Sequence, residues 1–323
     1  MQDYCADYTM DFVQKQLLGI TNVSERERSE LRDALDAWLA GLFSITAILR
    51  IPWLTRRSKP YKARLYLQAR IEERIDYLLE HGPDSSTLSK MIFAVDDQSN
   101  SKLSRLQIIE NSLFLIAAGT ETSSSVLTLA IFMMGLNPTT FKKLVNEQRE
   151  LQTTSEDLTE QQIANAPYVD AVVKETLRIG AITGGFTRQV RETFVVDGYQ
   201  IPKHWQIFGN IRLTHQLDPV TREKDNLHMD PQMGFVPERW LKEETQPVDF
   251  IPFGAGPRYC LGASLAMLEI KVFLATFAMR VPNFELAEGN RRKIEWQPSS
   301  IIPRPLDGTV IRLQTSGETN SII

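Results

Sequence analysis

Between Leu113 and Leu136 the chain is apolar over a length that could cross a bilayer, yet Gly119-Thr120-Glu121-Thr122-Ser123-Ser124-Ser125 sits in the middle of the run. A charged residue at that depth is costly in lipid, so the segment reads as a buried helix of a soluble core. The predicted helix covers about residues 104–136 and stops before Asn137-Pro138, because the residue ahead of a proline is pushed out of helical geometry. With 323 residues, 42% of them hydrophobic, the chain can bury a sizeable core, as one large domain or as two smaller ones.

The first 180 residues read as mostly helical. Leu31, Leu35, Trp38, Leu39 and Leu42 recur at helical spacing after a charged run in which Ser24 and Glu27 can form a capping box, and that helix ends near Gly41. A second amphipathic helix follows Pro60, with Leu65, Ile71, Ile75, Leu78 and Leu79 on or near one face and His81-Gly82-Pro83 as its stop. The connection between them, residues 42–53, is apolar without clear periodicity. It is either a buried strand or core loop, or a surface that touches membrane or admits an apolar ligand. A further helix runs from Ala166-Pro167 to Ile179.

After Ile179 the pattern changes to strands, Phe186 to Val190, Thr193 to Val196 and Tyr199 to Ile201, with Asp197-Gly198 as a strong hairpin signal. Extended structure continues to Asn210, Asp218 to Pro237 reads as a long loop, and Leu261 to Arg280 returns to helix. The predicted class is α+β, mainly α.

A formal net charge of −4 gives no basic field for nucleic acid, so none is expected as a partner. Cys5 and Cys260, far apart, make no disulfide framework, and a reducing intracellular setting fits them better. Four scattered histidines, His81, His204, His215 and His228, supply no zinc-ligand spacing. The opening Met1-Gln2-Asp3-Tyr4 carries no basic segment leading into an apolar run, so no signal or anchor is expected there.

The decisive chemistry lies in Phe253-Gly254-Ala255-Gly256-Pro257-Arg258-Tyr259-Cys260-Leu261-Gly262. This segment resembles the haem-binding loop of the cytochrome P450 family, Phe-x-x-Gly-x-Arg-x-Cys-x-Gly, a pattern that chance supplies about once in several thousand such chains. The resemblance makes Cys260 the ligand to the iron of haem b, in the fold of that family. A cysteine where a glycine-rich turn enters a helix sees the positive end of the helix dipole, which favours the electron-donating thiolate that a haem iron takes as an axial ligand. Gly254, Gly256 and Gly262 let the backbone approach sulfur and porphyrin. Arg258 is suited to pair a propionate, and Phe253 to shield the sulfur.

Ala118-Gly119-Thr120-Glu121-Thr122 resembles the family's oxygen-activating stretch. Glycine inside a helix costs roughly 1 kcal/mol relative to alanine, and room for dioxygen at Gly119 is the compensation the resemblance implies. Glu121 and Thr122, an acid and a hydroxyl in an apolar helix, can relay protons to dioxygen. A threonine bonded back to its own helix, beside a partly exposed glutamate, is the bland alternative. Glu175-Thr176-Leu177-Arg178 resembles the family's Glu-x-x-Arg, whose charges at i and i+3 share a helix face, and the resemblance adds Arg239 as the third member of a buried structural network behind the cysteine loop. Gly184-Gly185-Phe186-Thr187-Arg188, where family members usually carry prolines, looks like the branch with retinoid and sterol or brassinosteroid hydroxylases. Arg188 is there either a second propionate partner or an exposed strand arginine.

The resemblance spans the carboxy-terminal two-thirds of a family member, so residues 1–323 are read as one amino-terminally truncated catalytic domain. The opening third, with its anchor or first strands and its propionate-gripping helix, is expected to be missing, and weak haem retention follows as an expectation. What the resemblance implies is a haem-thiolate monooxygenase inserting one oxygen atom into an apolar small molecule, a retinoid, sterol or other terpenoid. Electrons come from NADPH through a separate reductase, and a full-length form associates with the endoplasmic reticulum membrane, with peripheral contact through residues 42–53. The alternatives are a haem-thiolate isomerase or dehydratase, which usually lacks the acid–alcohol pair, and a non-catalytic remnant.

Overall fold

The computed structural model describes residues 1–21, 24–41, 52–96, 100–151, 159–287, 309–313 and 321–322. By its internal contacts the chain divides into two compact units, Asp3–Ser124 and Ser125–Ile323 with Met1–Gln2.

The first unit is helical. Its elements are α1 (Gln2–Val13, of which Gln2 belongs to the other unit), α2 (Glu25–Gly41), α3 (Pro52–Arg57), α4 (Lys59–His81), α5 (Thr87–Phe93) and the opening of α6 (Arg105–Leu136). The Ser24 hydroxyl accepts from the Glu27 N–H, which caps α2, and Ser58 caps α4 in the same way with Pro60 in its first turn. The core joins Met10 and Val13, Leu31 and Leu35, Leu67, Ile71, Ile75 and Leu78, and Ile109 and Leu113. Leu65 and Leu79, expected on the inner face of α4, are exposed. The buried stripe steps Ala63, Leu67, Ile71, Ile75, Leu78, and at 100° per residue Leu65 lies nearly opposite Leu67. The expected membrane or core connection, residues 42–53, lies outside the described residues apart from the backbone of the first two residues of α3.

α6 belongs to the first unit up to Ser124 and to the second beyond it. Every residue from Ser123 to Met134 is buried, so this stretch is enclosed on all sides and has no solvent face to stripe. Among the described residues α6 is the one helix long and apolar enough to cross a membrane, and 61% of its most apolar window is buried inside the protein.

In the second unit, α7 (Pro138–Leu151) starts on the proline that ends α6, and α8 (Glu160–Ala164) opens on a capping box between Thr159 and Gln162. α9 (Pro167–Gly180) packs on α11 (Ala263–Arg280), as does α7. Between them come β1 (Gly185–Gln189), the β2–β3 hairpin (Phe194–Val196, Tyr199–Ile201), β4 (Gln206–Asn210) and the short α10 (Ile211–Gln216). Asp197 and Gly198, at φ 48° and 82°, form the hairpin turn. The extended run predicted from Tyr199 to Asn210 breaks at Pro202, which has no N–H for a ladder, and His204 at φ 72°. Beyond the break the chain changes partner and β4 pairs antiparallel with β1. A last sheet, β5–β6–β7 (Phe284–Leu286, Ile311–Leu313, Ser321–Ile322), was not read from the sequence. It is anchored where Phe284 meets the rings of Phe141 at 4.7 Å and Phe277 at 5.5 Å.

Candidate haem-ligand site

α9 builds the first half of the site. Glu147 receives the first free N–H groups of the helix, from Tyr168 at 2.5 Å and Val169 at 2.9 Å. Two turns on, Glu175 and Arg178 are fully buried. The Glu175 carboxylate accepts five bonds, from Arg178 Nε at 2.9 Å and Nη2 at 2.8 Å, Arg239 Nε at 2.9 Å, Trp240 Nε1 at 2.9 Å and the Val236 N–H at 3.1 Å. Arg178 Nη2 also donates to the carbonyls of His228 at 2.6 Å and Gly234 at 3.2 Å. Burying an ion pair is tolerated only when its remaining hydrogen-bonding capacity is met in this way. The Glu175, Arg178 and Arg239 triad therefore fixes the loop 228–240 to α9, and Trp240, unread in the sequence, is a further donor to it.

From that frame a second set of bonds reaches the cysteine segment. His215, buried at the end of α10, lies with Nδ1 2.9 Å from the Arg178 carbonyl, and its Nε2 accepts from the Ile251 N–H at 3.1 Å. An accepting Nε2 places the proton on Nδ1, so the ring is neutral and bridges two backbones. Asp218 accepts from Val220, Thr221, Val248 and Asp249 N–H groups and from the Thr221 hydroxyl. His228 adopts the other tautomer, accepting at Nδ1 from Glu223 and donating at Nε2 to Gln216. The bonds of these histidines give them a structural part that their spacing in the sequence does not announce. Asp218 could have been found from Asp218-Pro219-Val220-Thr221, an acid three residues ahead of a threonine at a turn. Nothing local marks His215.

Burial depresses the His215 pKa, the bond to Arg178 opposes that shift, and the Arg178 charge adds to it. A depressed histidine pKa means that the unfolded chain binds the extra proton first. The contribution to stability is thus complete above the ordinary histidine pKa near 6.5 and is lost as pH falls through the depressed folded value. We expect the urea midpoint to fall between pH 7 and pH 5, with a shallower fall in His215→Gln. Equal slopes in parent and variant would show that another group carries the acid sensitivity.

The segment then turns into the cysteine loop. The Gly254 N–H bonds the Ile251 carbonyl at 2.9 Å, and Gly254 and Gly256 take φ of 74° and 65°, where a side chain would be strained. A 3₁₀ turn over Gly256–Arg258 follows, and the Cys260 N–H returns to the Phe253 carbonyl at 3.0 Å. Cys260 sits three residues ahead of α11, and its carbonyl accepts from the Ala263 N–H at 3.3 Å. Neither cysteine is in a disulfide; Cys5 is buried and Cys260 exposed. Around Cys260 the loop presents Leu261, 91% exposed, and Tyr259, whose ring meets that of Phe253 at 6.2 Å. Arg258 is exposed and carries no ion pair among the described residues. Arg188 is exposed on β1, its guanidinium over the Phe186 ring at 4.7 Å and bonded to the Thr187 carbonyl. An accessible sulfur, apolar side chains beside it, room above the glycines and an uncommitted cation are what a flat apolar group with an anionic edge requires, so the residues fit haem.

In the first unit, the Thr122 hydroxyl donates to the Ala118 carbonyl at 2.7 Å, four residues back, and Glu121 is half-buried. A hydroxyl has one proton to give, and here it is given to the helix. At Gly119 a Cβ would stand 3.1 Å from Val13 Cγ2, so this glycine admits α1 against α6 at close range. The sequence reading assigned that space to dioxygen; the contact with Val13 supplies a packing reason for the glycine.

A mainly helical chain with small sheets, a buried Glu–Arg–Arg lock and a glycine-turned loop presenting a free thiol ahead of a long helix defines a haem-thiolate class of protein. The cytochrome P450 family model matches residues 1–307, and the chain belongs to the cytochrome P450 family. Cytochrome P450 26B1 of Xenopus tropicalis is 29% identical over 323 residues, 96% of this chain and 60% of that protein. Taxoid 7-beta-hydroxylase of Taxus cuspidata is 29% identical over 292 residues, 87% of this chain and 56% of that protein. The structure of retinoic acid bound cyanobacterial CYP120A1 superposes with a TM-score of 0.81 at 28% identity, over 97% of this chain and 68% of that one. The chain thus spans about 60% of the length of such curated relatives. The family is haem-thiolate and iron-binding, and it implies haem and electrons from a reductase.

Proposed function

We propose that the protein is a haem-thiolate monooxygenase that inserts one oxygen atom from dioxygen into an apolar small molecule of the retinoid, sterol or terpenoid kind. The observation that carries this reading is the Cys260 loop, a free exposed thiol held ahead of an 18-residue helix in a chain of this family. Haem b, when bound, supplies the iron at which dioxygen is reduced. Cys260 would hold that iron as a thiolate, Arg258 and Arg188 would pair the propionates, and Phe253 and Gly254 would border the group. Glu121 and Thr122 Oγ1 relay protons. For Thr122 that requires the hydroxyl to leave the Ala118 carbonyl or to receive a second proton as it gives the first. The retinoid and terpenoid classes are supported by the bound retinoic acid in one relative and by the taxoid hydroxylase. Electrons come from NADPH through a separate reductase, intracellularly at the endoplasmic reticulum membrane.

The test supplies haem, a reductase, NADPH and a panel of retinoids, sterols and terpenoids. Product carrying one oxygen atom from labelled dioxygen supports the proposal. Rearrangement of a peroxide without reductant would support an isomerase or dehydratase, and failure to take up haem would support a non-catalytic chain. In the same assay Thr122→Ala is expected to bind haem and substrate as the parent does, while product per NADPH falls several-fold and peroxide rises. Unchanged product yield would remove Thr122 from the proton path.

A further inference from the structure

We propose that His215 is a positioning residue for the iron-ligand loop, carrying the rigidity of the Glu175–Arg178 lock to the backbone that aims Cys260. The proposal rests on the reading of Cys260 as the ligand. A series of consecutive contacts carries it. The Arg178 carbonyl accepts from His215 Nδ1–H at 2.9 Å, and His215 Nε2 accepts from the Ile251 N–H at 3.1 Å. The Ile251 carbonyl then accepts from Gly254, and the Phe253 carbonyl from the Cys260 N–H. Ile251 is the last residue before the loop turns, so one bond at its N–H sets where the turn begins. Asp218 holds the two preceding N–H groups that matter, those of Val248 and Asp249. Phe250, between Asp249 and Ile251, lies 5.5 Å from the His215 ring and 4.6 Å from that of Trp240, itself bonded to Glu175. The cysteine segment is therefore held from its amino-terminal side by His215, which is bonded to the Arg178 backbone, and by Asp218, while Phe250 packs on the Trp240 of the lock. Ligand orientation at a metal is commonly fixed by such outer partners, and their loss typically costs 10–100-fold in affinity or activity.

The geometry separates two roles by substitution. Gln carries an acceptor at about the place of Nε2 and can keep the Ile251 N–H. Asn reaches only the place of Nδ1, keeps the donor to Arg178 and loses Ile251. The haem-loaded full chain, His215→Asn and His215→Gln are compared by the reduced carbon-monoxide spectrum, and by amide hydrogen exchange over residues 248–262. Positioning predicts that Asn lowers the thiolate-type fraction several-fold and speeds exchange in the segment, while Gln, which keeps the bond to Ile251 and gives up the one to Arg178, restores both in large part. Asn matching the parent in both measurements overturns the proposal, as does equal damage by Asn and Gln, which packing alone would produce. A parent chain with no thiolate-type spectrum would count against the haem reading itself. Exchange over 248–262 then decides on positioning alone, faster in Asn and nearer to the parent in Gln if the inference holds, and otherwise sinking it.

Discussion

Cys260→Ser is expected to abolish thiolate ligation of haem iron and to leave the fold unchanged. The two halves of that expectation have separate causes. Within the fold, Cys260 contributes a backbone N–H to Phe253 and a carbonyl to Ala263, both of which serine keeps, and its side chain is exposed, so no buried packing is lost. At the iron, an alcohol is a far weaker acid than a thiol and provides no comparable anionic, electron-donating ligand. Circular dichroism and the urea midpoint should match the parent, while the reduced carbon-monoxide complex loses its thiolate-type spectrum entirely. An unchanged spectrum in the variant would reject Cys260 as the ligand.

The second large effect falls on stability. Glu175→Ala removes the acceptor of five hydrogen bonds and leaves Arg178, fully buried, with no carboxylate. Breaking a buried pair by deleting one partner costs about 3–5 kcal/mol, a large share of the roughly 5–15 kcal/mol by which a domain is stable. The unfolding free energy should fall by that amount, and because the alanine variant then stands near the folding threshold, Glu175→Gln provides a milder comparison. Glutamine keeps one acceptor but aims an N–H₂ group at donors, so it too should be destabilising. A loss below about 1 kcal/mol for both variants would mean that the lock contributes little.

How much of this was legible in the sequence follows the range of the interaction responsible. Asp197-Gly198 announced the β2–β3 turn because a two-residue hairpin selects its residues locally. Asn137-Pro138 ended α6 for an equally local reason. The inner face of α4 was read less well, since Leu65 and Leu79 are apolar but turned outward. Apolarity nominates a residue for the core, and only its angle around the helix decides whether it arrives there. The partner switch after Ile201, and β5 with its distant partner β6, depend on pairing between segments that carry no local mark of each other.

The site divides along the same line. The spacing from Phe253 to Gly262 by itself marked a tightly turned loop around one thiol, because such a backbone admits few residues besides glycine at its bends, and those glycines are written in the chain. The i, i+3 placement of Glu175 and Arg178 likewise followed from helix geometry. What the tertiary structure alone decided is which other groups satisfy those charges and hold that loop: Trp240 and Val236 on Glu175, His215 between Arg178 and Ile251, and Asp218 on Val248 and Asp249. It also decided that Gly119 faces Val13 and that the Thr122 proton rests on Ala118. A hydrogen bond needs its partners within about 3 Å, and residues tens of positions apart reach that distance only when the rest of the chain has folded around them.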